Sequence, residues 1–261
     1  MSRLFLGASH AANYAKFRPK YNAKLADRIV QYCRQRGANF DLAIDVGCGS
    51  GQSTRLFQDH YKKIVGFDVS DEQLKQARLL SMKSSTISYE KGNATRFPVQ
   101  SDVADLISCA QAYHWLDHDK FHQECERVLR TRGCVAVYGY GNCELDNAEA
   151  QKILSHFYSY TVGRFWDERR RHVDALYREF SLPFGNYTRD DSLSLKMELN
   201  LDDFIGYVST WSAYVKFQET YPDDNHAILQ RLYADLAKIY HDESSKVYVN
   251  FPLFLLLSSK Q

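Results

Sequence analysis

The sequence has almost no excess of charge of either sign. Thirty-three basic residues face 32 acidic ones across 261 positions, a formal net charge of +1. That balance offers no electrostatic footprint for a nucleic acid or an anionic membrane. Its six cysteines, at 33, 48, 109, 125, 134 and 143, contain no C-x-x-C pair. Four of them (Cys33, Cys109, Cys125, Cys134) fall in expected strands or helices. They read as small core residues in a reducing compartment, without a disulfide frame or a bound metal. Long hydrophobic runs are missing too. The longest, Phe251 to Leu257, contains Pro252 and is too short to span a bilayer. The first residues show no cationic, apolar leader. A cytoplasmic protein without nucleic-acid or membrane partners is the expectation, in one domain with room for a small subdomain.

Two nucleotide signatures are absent as well. The dinucleotide pattern G-x-G-x-x-G would place its third small residue at Gln52, which is bulky, and no Gly-Lys-Ser/Thr of a phosphate loop follows the glycines. What is present is Asp45-Val46-Gly47-Cys48-Gly49-Ser50-Gly51. It follows an apolar strand, Leu42-Ala43-Ile44, and precedes Gln52 to Asp59, which reads as the start of a helix. Alternating glycines let the backbone pass close to a ligand, and a helix start adds free N–H groups and a positive dipole end. Lys63 to Asp68 reads as a second strand ending in an acid, 21 residues beyond Gly47, where a carboxylate can accept both hydroxyls of a ribose.

The alternation continues. Ser70-x-x-Gln73 reads as a capping box opening a helix with Leu74, Ala77 and Leu80 on one face. Thr86–Tyr89, Val103–Cys109 and Cys134–Tyr140 read as strands, with a helix from Asp117 to Leu129. Upstream, Lys24 to Arg36 forms a helix stopped by Gly37. Downstream, residues 146–180 show helical spacing, with Ile153, Leu154, Phe157 and Tyr160 on one face. Ser192–Leu199 reads as strand six, Asp202–Lys216 and Asn225–Tyr240 as helices, and Val247–Ser258 as the last strand, with Pro252 at a start or bulge. The order argues for a doubly wound α/β sheet.

The D-x-G-x-G-x-G loop resembles motif I of the class I S-adenosylmethionine-dependent methyltransferases. Asp68, the segment Gly92-Asn93-Ala94-Thr95-Arg96-Phe97-Pro98 and the segment Tyr113-His114-Trp115 extend the resemblance over nearly the whole chain. It implies a Rossmann-like seven-stranded sheet with its last strand antiparallel and with helical lid insertions. It divides a single domain, 1–261, into an N-terminal lid and helix (1–36), a donor-binding core (37–140) and helical insertions over the acceptor pocket (141–190 and 200–245). The implied donor is S-adenosylmethionine, held by Tyr14, Arg18, Asp45, Gly47, Gly49, Gly51, Asp68, Val69, Asn93, Ala94 and Gln111. Many members carry Asp where Asn93 stands; its amide oxygen can still accept from the adenine amine. Three segments, Tyr14-x-x-Phe17-Arg18-Pro19-x-Tyr21, His114-Trp115-x-Asp117 and Thr210-Trp211-Ser212-Ala213-Tyr214, are similar to the trans-aconitate methyltransferase-like group, which methylates carboxylates of small acids.

Transfer of an already activated methyl group needs alignment more than covalent help. A carboxylate acceptor is ionised at neutral pH and needs no base, whereas an amine or hydroxyl does. His114 is the candidate catalytic residue, as a base or as the hydrogen-bond donor that holds an acid. Tyr21, His114, Trp115, Trp166, Arg169 and Trp211 are the candidates for the acceptor pocket. The leading expectation is O-methylation of a small carboxylic acid by a monomer or homodimer. N-methylation of a small amine, or a silent donor-binding module that regulates a partner, stands as the alternative.

Overall fold

The computed structural model describes residues 16–224, 226–241 and 245–261. Helix α1 (Ala23–Arg36) begins at Asn22, whose side chain accepts from Leu25 N, and ends at Gly37 in the left-handed region. It buries Leu25, Ile29 and Cys33 against the sheet. Strands β1 (Leu42–Val46), β2 (Lys63–Asp68), β3 (Ile87–Lys91), β4 (Ala104–Ala110) and β5 (Leu129–Tyr140) lie parallel in the order β3-β2-β1-β4-β5. Helices α2 (Asp71–Leu80) and α3 (His118–Val128) make crossovers between them.

The second half of the chain supplies short strands β6 (Glu144–Leu145), β7 (Thr188–Asp190) and β8 (Ser194–Leu199). Its helices are α4 (Ala148–His156), α5 (Arg170–Asp174), α6 (Leu201–Ser209), α7 (Ser212–Thr220) and α8 (Ala227–Ala237). The long strand β9 (Val247–Ser259) follows. Strand β9 serves two sheets. From Leu253 to Ser259 it runs antiparallel to β5 and carries β7 on its other side. From Val247 to Pro252 it pairs with β8 and β6. Pro252 marks the changeover, where a residue without an N–H costs least. The main sheet is therefore seven strands with β9 antiparallel, as expected. The edge position falls to β7, however, and the alternating Ser192–Leu199 segment goes to the smaller sheet.

Four other expectations need correction. The residues after the glycine loop form a 3₁₀ turn, Thr54–Phe57, and no regular α-helix, so the dipole contribution there is small. Leu80 and Tyr160 are exposed, because each lies where its helix ends or changes pitch; α4 runs into a π-helical turn at Phe157–Thr161. The helix expected from Asp202 to Lys216 breaks into α6 and α7. Arg18 Nη2 donates to Thr210 O (2.9 Å), and Trp211 is extended at the break. The second-half helices close a core of their own around Phe204, Tyr207, Trp211 and Phe251.

Candidate active site

The glycine loop is fixed from two sides. Gly47 N and Cys48 N both donate to Phe67 O (2.8 and 3.0 Å), tying the loop to β2. Below it, the buried Asp45 accepts from Ser53 Oγ (3.0 Å) and Ser108 Oγ (2.8 Å) on one oxygen and Thr54 Oγ1 (2.7 Å) on the other. Asp45 thus braces the loop and does not line the cavity above it, which corrects its placement as a donor contact. Burial pushes its pKa up to about 6 against these hydroxyl bonds. A carboxyl whose folded pKa is raised stabilises most below its unfolded value, and that contribution is lost as pH rises through about 6. Asp45→Asn should therefore gain stability relative to wild type between roughly pH 4 and pH 6, by about 3 kcal/mol. Urea unfolding of both proteins across that range checks it; parallel stability curves would contradict it.

All three loop glycines have positive φ (66°, 53° and 78°), but they do different things. A Cβ on Gly47 would lie 2.7 Å from Ala112 Cβ, and one on Gly51 would collide with Tyr89 Oη. Those two glycines make room for protein. A Cβ on Gly49 would find only Gln73 Oε1, at 3.8 Å, and would project into open space. That space is a cavity of about 340 Å³ at the carboxyl ends of β1, β2 and β4, where open parallel sheets place ligands.

Of the donor-binding candidates, Gly47, Gly49, Asp68, Val69 and Gln111 line this cavity, together with Tyr21 and Trp115. Asp68 accepts from Gly49 N on one oxygen and from Ser70 N on the other, both at 2.9 Å. Each oxygen keeps a second lone pair, and burial raises the pKa of the carboxyl. Gln111, at φ 52°, donates its Nε2 to Tyr140 O (2.8 Å). Gly51, Asn93, Ala94 and Arg18 are not on the wall. Asn93 is exposed, and its amide oxygen accepts from Thr95 N and Thr95 Oγ1, which engages the group assigned to adenine. Arg18 bonds Thr210, and Tyr14 lies outside the described residues. The wall also contains Gln52, Gln73 and Tyr140, which the sequence reading passed over.

The lining fits an adenosyl donor. Asp68 presents paired acceptors suited to a ribose diol. Among the described residues, Gln73 Oε1 and Gln52 Nε2 are buried without a partner, one acceptor and one donor that a polar ligand would satisfy.

Past Trp115 the surroundings become cationic and aromatic. His114 sits in the 3₁₀ turn Tyr113–Trp115 after β4, beside Trp115 (ring centroids 5.0 Å apart) and off the cavity wall itself. Its Nδ1 bonds Tyr177 Oη, which also accepts from His114 N (3.4 Å). In the tautomer where the Tyr177 hydroxyl donates to Nδ1, the neutral ring carries its proton on Nε2. Burial, helped by Arg170, His172, Arg169 and His118, lowers the His114 pKa to about 3, so the ring is neutral at physiological pH. Arg169 lies over the Trp115 ring at 5.3 Å. Trp166 lies beside Trp211 (ring centroids 5.8 Å apart, tilted), which is buried and borders a second cavity of about 440 Å³. Tyr21 packs edge-on to Tyr138 (5.2 Å). Of the acceptor candidates, the structure brings Tyr21 and Trp115 to the first cavity and Trp211 to the second. His114, Arg169 and Trp166 line neither.

Among the described residues no cluster suited to a metal ion occurs, and no helix is long and apolar enough to cross a membrane. A family model described as a methyltransferase domain matches residues 44–137. A Dictyostelium discoideum protein named as a methyltransferase is 33% identical over 97% of this chain and 94% of its own length. A Saccharomyces cerevisiae protein named as an S-adenosylmethionine-dependent methyltransferase, CRG1, is 23% identical over 91% of this chain and 87% of its own. A solved structure described as a type II methyltransferase from Anaeromyxobacter dehalogenans is 26% identical, with a TM-score of 0.77, over 93% of this chain and 98% of that one. With a glycine loop, a ribose-type carboxylate and relatives matched end to end, the chain belongs to the class I S-adenosylmethionine-dependent methyltransferases.

Proposed function

We propose that this methyltransferase transfers its methyl group to the oxygen of a small carboxylic acid. S-adenosylmethionine supplies a methyl group already activated on a sulfonium. Gly49, Asp68, Gln73 and Gln52 hold the donor, and Trp115, Tyr140 and Tyr21 wall its reactive end. The observation that carries the reading is the lack of a base there. Among the described residues, Asp68 is the only acid on the donor cavity wall, and it is committed to Gly49 and Ser70. A histidine with a pKa of about 3 accepts a proton poorly at pH 7. Its Nε2–H is instead suited to orienting an acceptor that arrives ionised. Arg169 and Arg170 complement an anion on the same side.

The resemblance to the trans-aconitate methyltransferase-like group supports the same substrate class. We also assign the second-half helices and the N-terminal segment to covering the acceptor. Phe17 packs on Gly206, and Arg18 bonds Thr210, so the segment before α1 is docked on α6. Balanced charge and six buried free cysteines support action on a small molecule in a reducing cytoplasm. N-methylation of an amine is the second reading, favoured by Tyr158, Trp211 and Asp174 around the 440 Å³ cavity.

The test is product identity. Label transferred from the donor to the best acceptor in a panel of small acids, amines and phenols should be released as methanol by mild base, as from an ester. A base-stable methylated product would overturn the carboxylate reading and favour the amine.

A further inference from the structure

Of the three consecutive arginines at 169–171, only Arg170 turns inward. Its side chain is 21% exposed, against 53% for Arg169, and Arg171 is exposed. The guanidinium lies 4.7 Å from the Trp166 ring centroid and 5.7 Å from that of Tyr158. Nε donates to Asp174 Oδ1 (3.0 Å) and Tyr158 Oη (3.1 Å), and Nη2 donates to Asn142 Oδ1. Nη1 carries two further N–H groups and has no partner among the described residues.

Three donors converge on the Asp174 carboxylate: Arg170, Tyr158 Oη at 2.8 and 2.9 Å from its two oxygens, and Asn142 Nδ2 at 3.1 Å. Asn142, Tyr158 and Asp174 border the 440 Å³ cavity alongside Trp211, and the Asp174 side chain remains 37% exposed. A guanidinium, a phenol and an amide arranged around one carboxylate form a receptor of the kind a carboxylate ligand needs. The chain's own side chain fills it.

We infer that Arg170 is the anion-binding residue of the acceptor site, with Asp174 as its internal competitor: an incoming carboxylate takes the Nη1 edge, and the Asp174 charge opposes it. This rests on the carboxylate reading above and names the residues that would select for it. Arg170 also belongs to the right neighbourhood. Its charge acts on His114, and its sequence neighbour Arg169 covers Trp115 at the end of the donor cavity. In this arrangement a neutral analogue of the acceptor loses its partner, and a cationic one meets Arg170 directly.

The two residues make predictions of opposite sign. The probe is benzoate, whose ring suits the Trp211 and Tyr158 lining, titrated at constant ionic strength into protein saturated with S-adenosylhomocysteine. Tryptophan fluorescence is the readout, since all three tryptophans (Trp115, Trp166, Trp211) lie around this site. Arg170→Met should weaken benzoate by about tenfold or more, the scale of a lost charged hydrogen bond. Arg170→Lys should restore only part of it, because the charge returns without the fork. Asp174→Asn should tighten benzoate. S-adenosylhomocysteine affinity, expected unchanged in all three, certifies folding. An ion pair with a purely structural role would move both variants the same way.

The inference is overturned if benzoate fails to bind wild type, if Arg170→Met leaves its affinity unchanged, or if Asp174→Asn weakens it. Preferential binding of benzylamine, lost in Asp174→Asn, would overturn it too and make Asp174 a cation receptor. Arg170-dependent benzoate binding with a base-stable N-methyl product would remove the carboxylate-methylation reading and leave the anion subsite standing. An ester product with Arg170-independent benzoate binding would do the reverse.

Discussion

Gly49→Val is expected to abolish donor binding while leaving a folded protein. The Cβ of residue 49 has almost no protein around it and projects into the cavity, so the valine branches occupy the volume the donor needs. Affinity for S-adenosylhomocysteine should fall by at least about a hundredfold, roughly 2.7 kcal/mol. A branched residue at φ 53° also strains the backbone, so a stability loss of roughly 1–3 kcal/mol is expected beside it. Calorimetric titration with circular dichroism on the same samples separates the two effects. Near-wild-type affinity would place the donor elsewhere. Gly51 differs: its Cβ would strike Tyr89, so a substitution there acts first on the fold.

His114→Ala is expected to lower kcat on the order of a hundredfold if alignment is its role. Donor affinity should barely change, because His114 is off the donor cavity wall. Partial recovery in His114→Asn would support positioning, since an amide donates a hydrogen bond and cannot serve as a base at this pH. A variant as poor as alanine, together with an acceptor that must lose a proton, would favour a base. The bond to Tyr177 orients the imidazole, and its burial and cationic neighbours keep it neutral.

Much of the cavity wall was legible because glycine spacing and strand alternation are local signals. The distance from Gly47 to Asp68 reflects one strand–turn–strand unit, and both residues reached the cavity. Gln73 shows why other parts were not. Its spacing from Ser70 reads as a reciprocal cap, and Ser70 Oγ does accept from Gln73 N (3.3 Å). But Ser70 N, the partner the glutamine side chain needs, is taken by Asp68. That tertiary bond leaves Gln73 free to face the cavity. Asp45 was misplaced for a similar reason: nothing local indicates that Ser53, Thr54 and Ser108 would surround its carboxylate. The arginine run illustrates a limit of periodicity. Helix α5 has five residues, too few to define a face, so the inward member, Arg170, emerged only from packing on Trp166 and Tyr158. Asn93 lies off the cavity wall, and a short turn to Thr95, which spacing alone does not reveal, engages its amide oxygen.

The pH dependence of kcat/KM with the best acceptor, measured from pH 7 to pH 9 at constant ionic strength and limiting acceptor, tests the central claim most directly. His114 is neutral across this range, and a carboxylate acceptor is fully ionised. The account predicts a profile without a rising limb. A rate that climbs by about tenfold per pH unit, as it would for an amine shedding its proton, would contradict it.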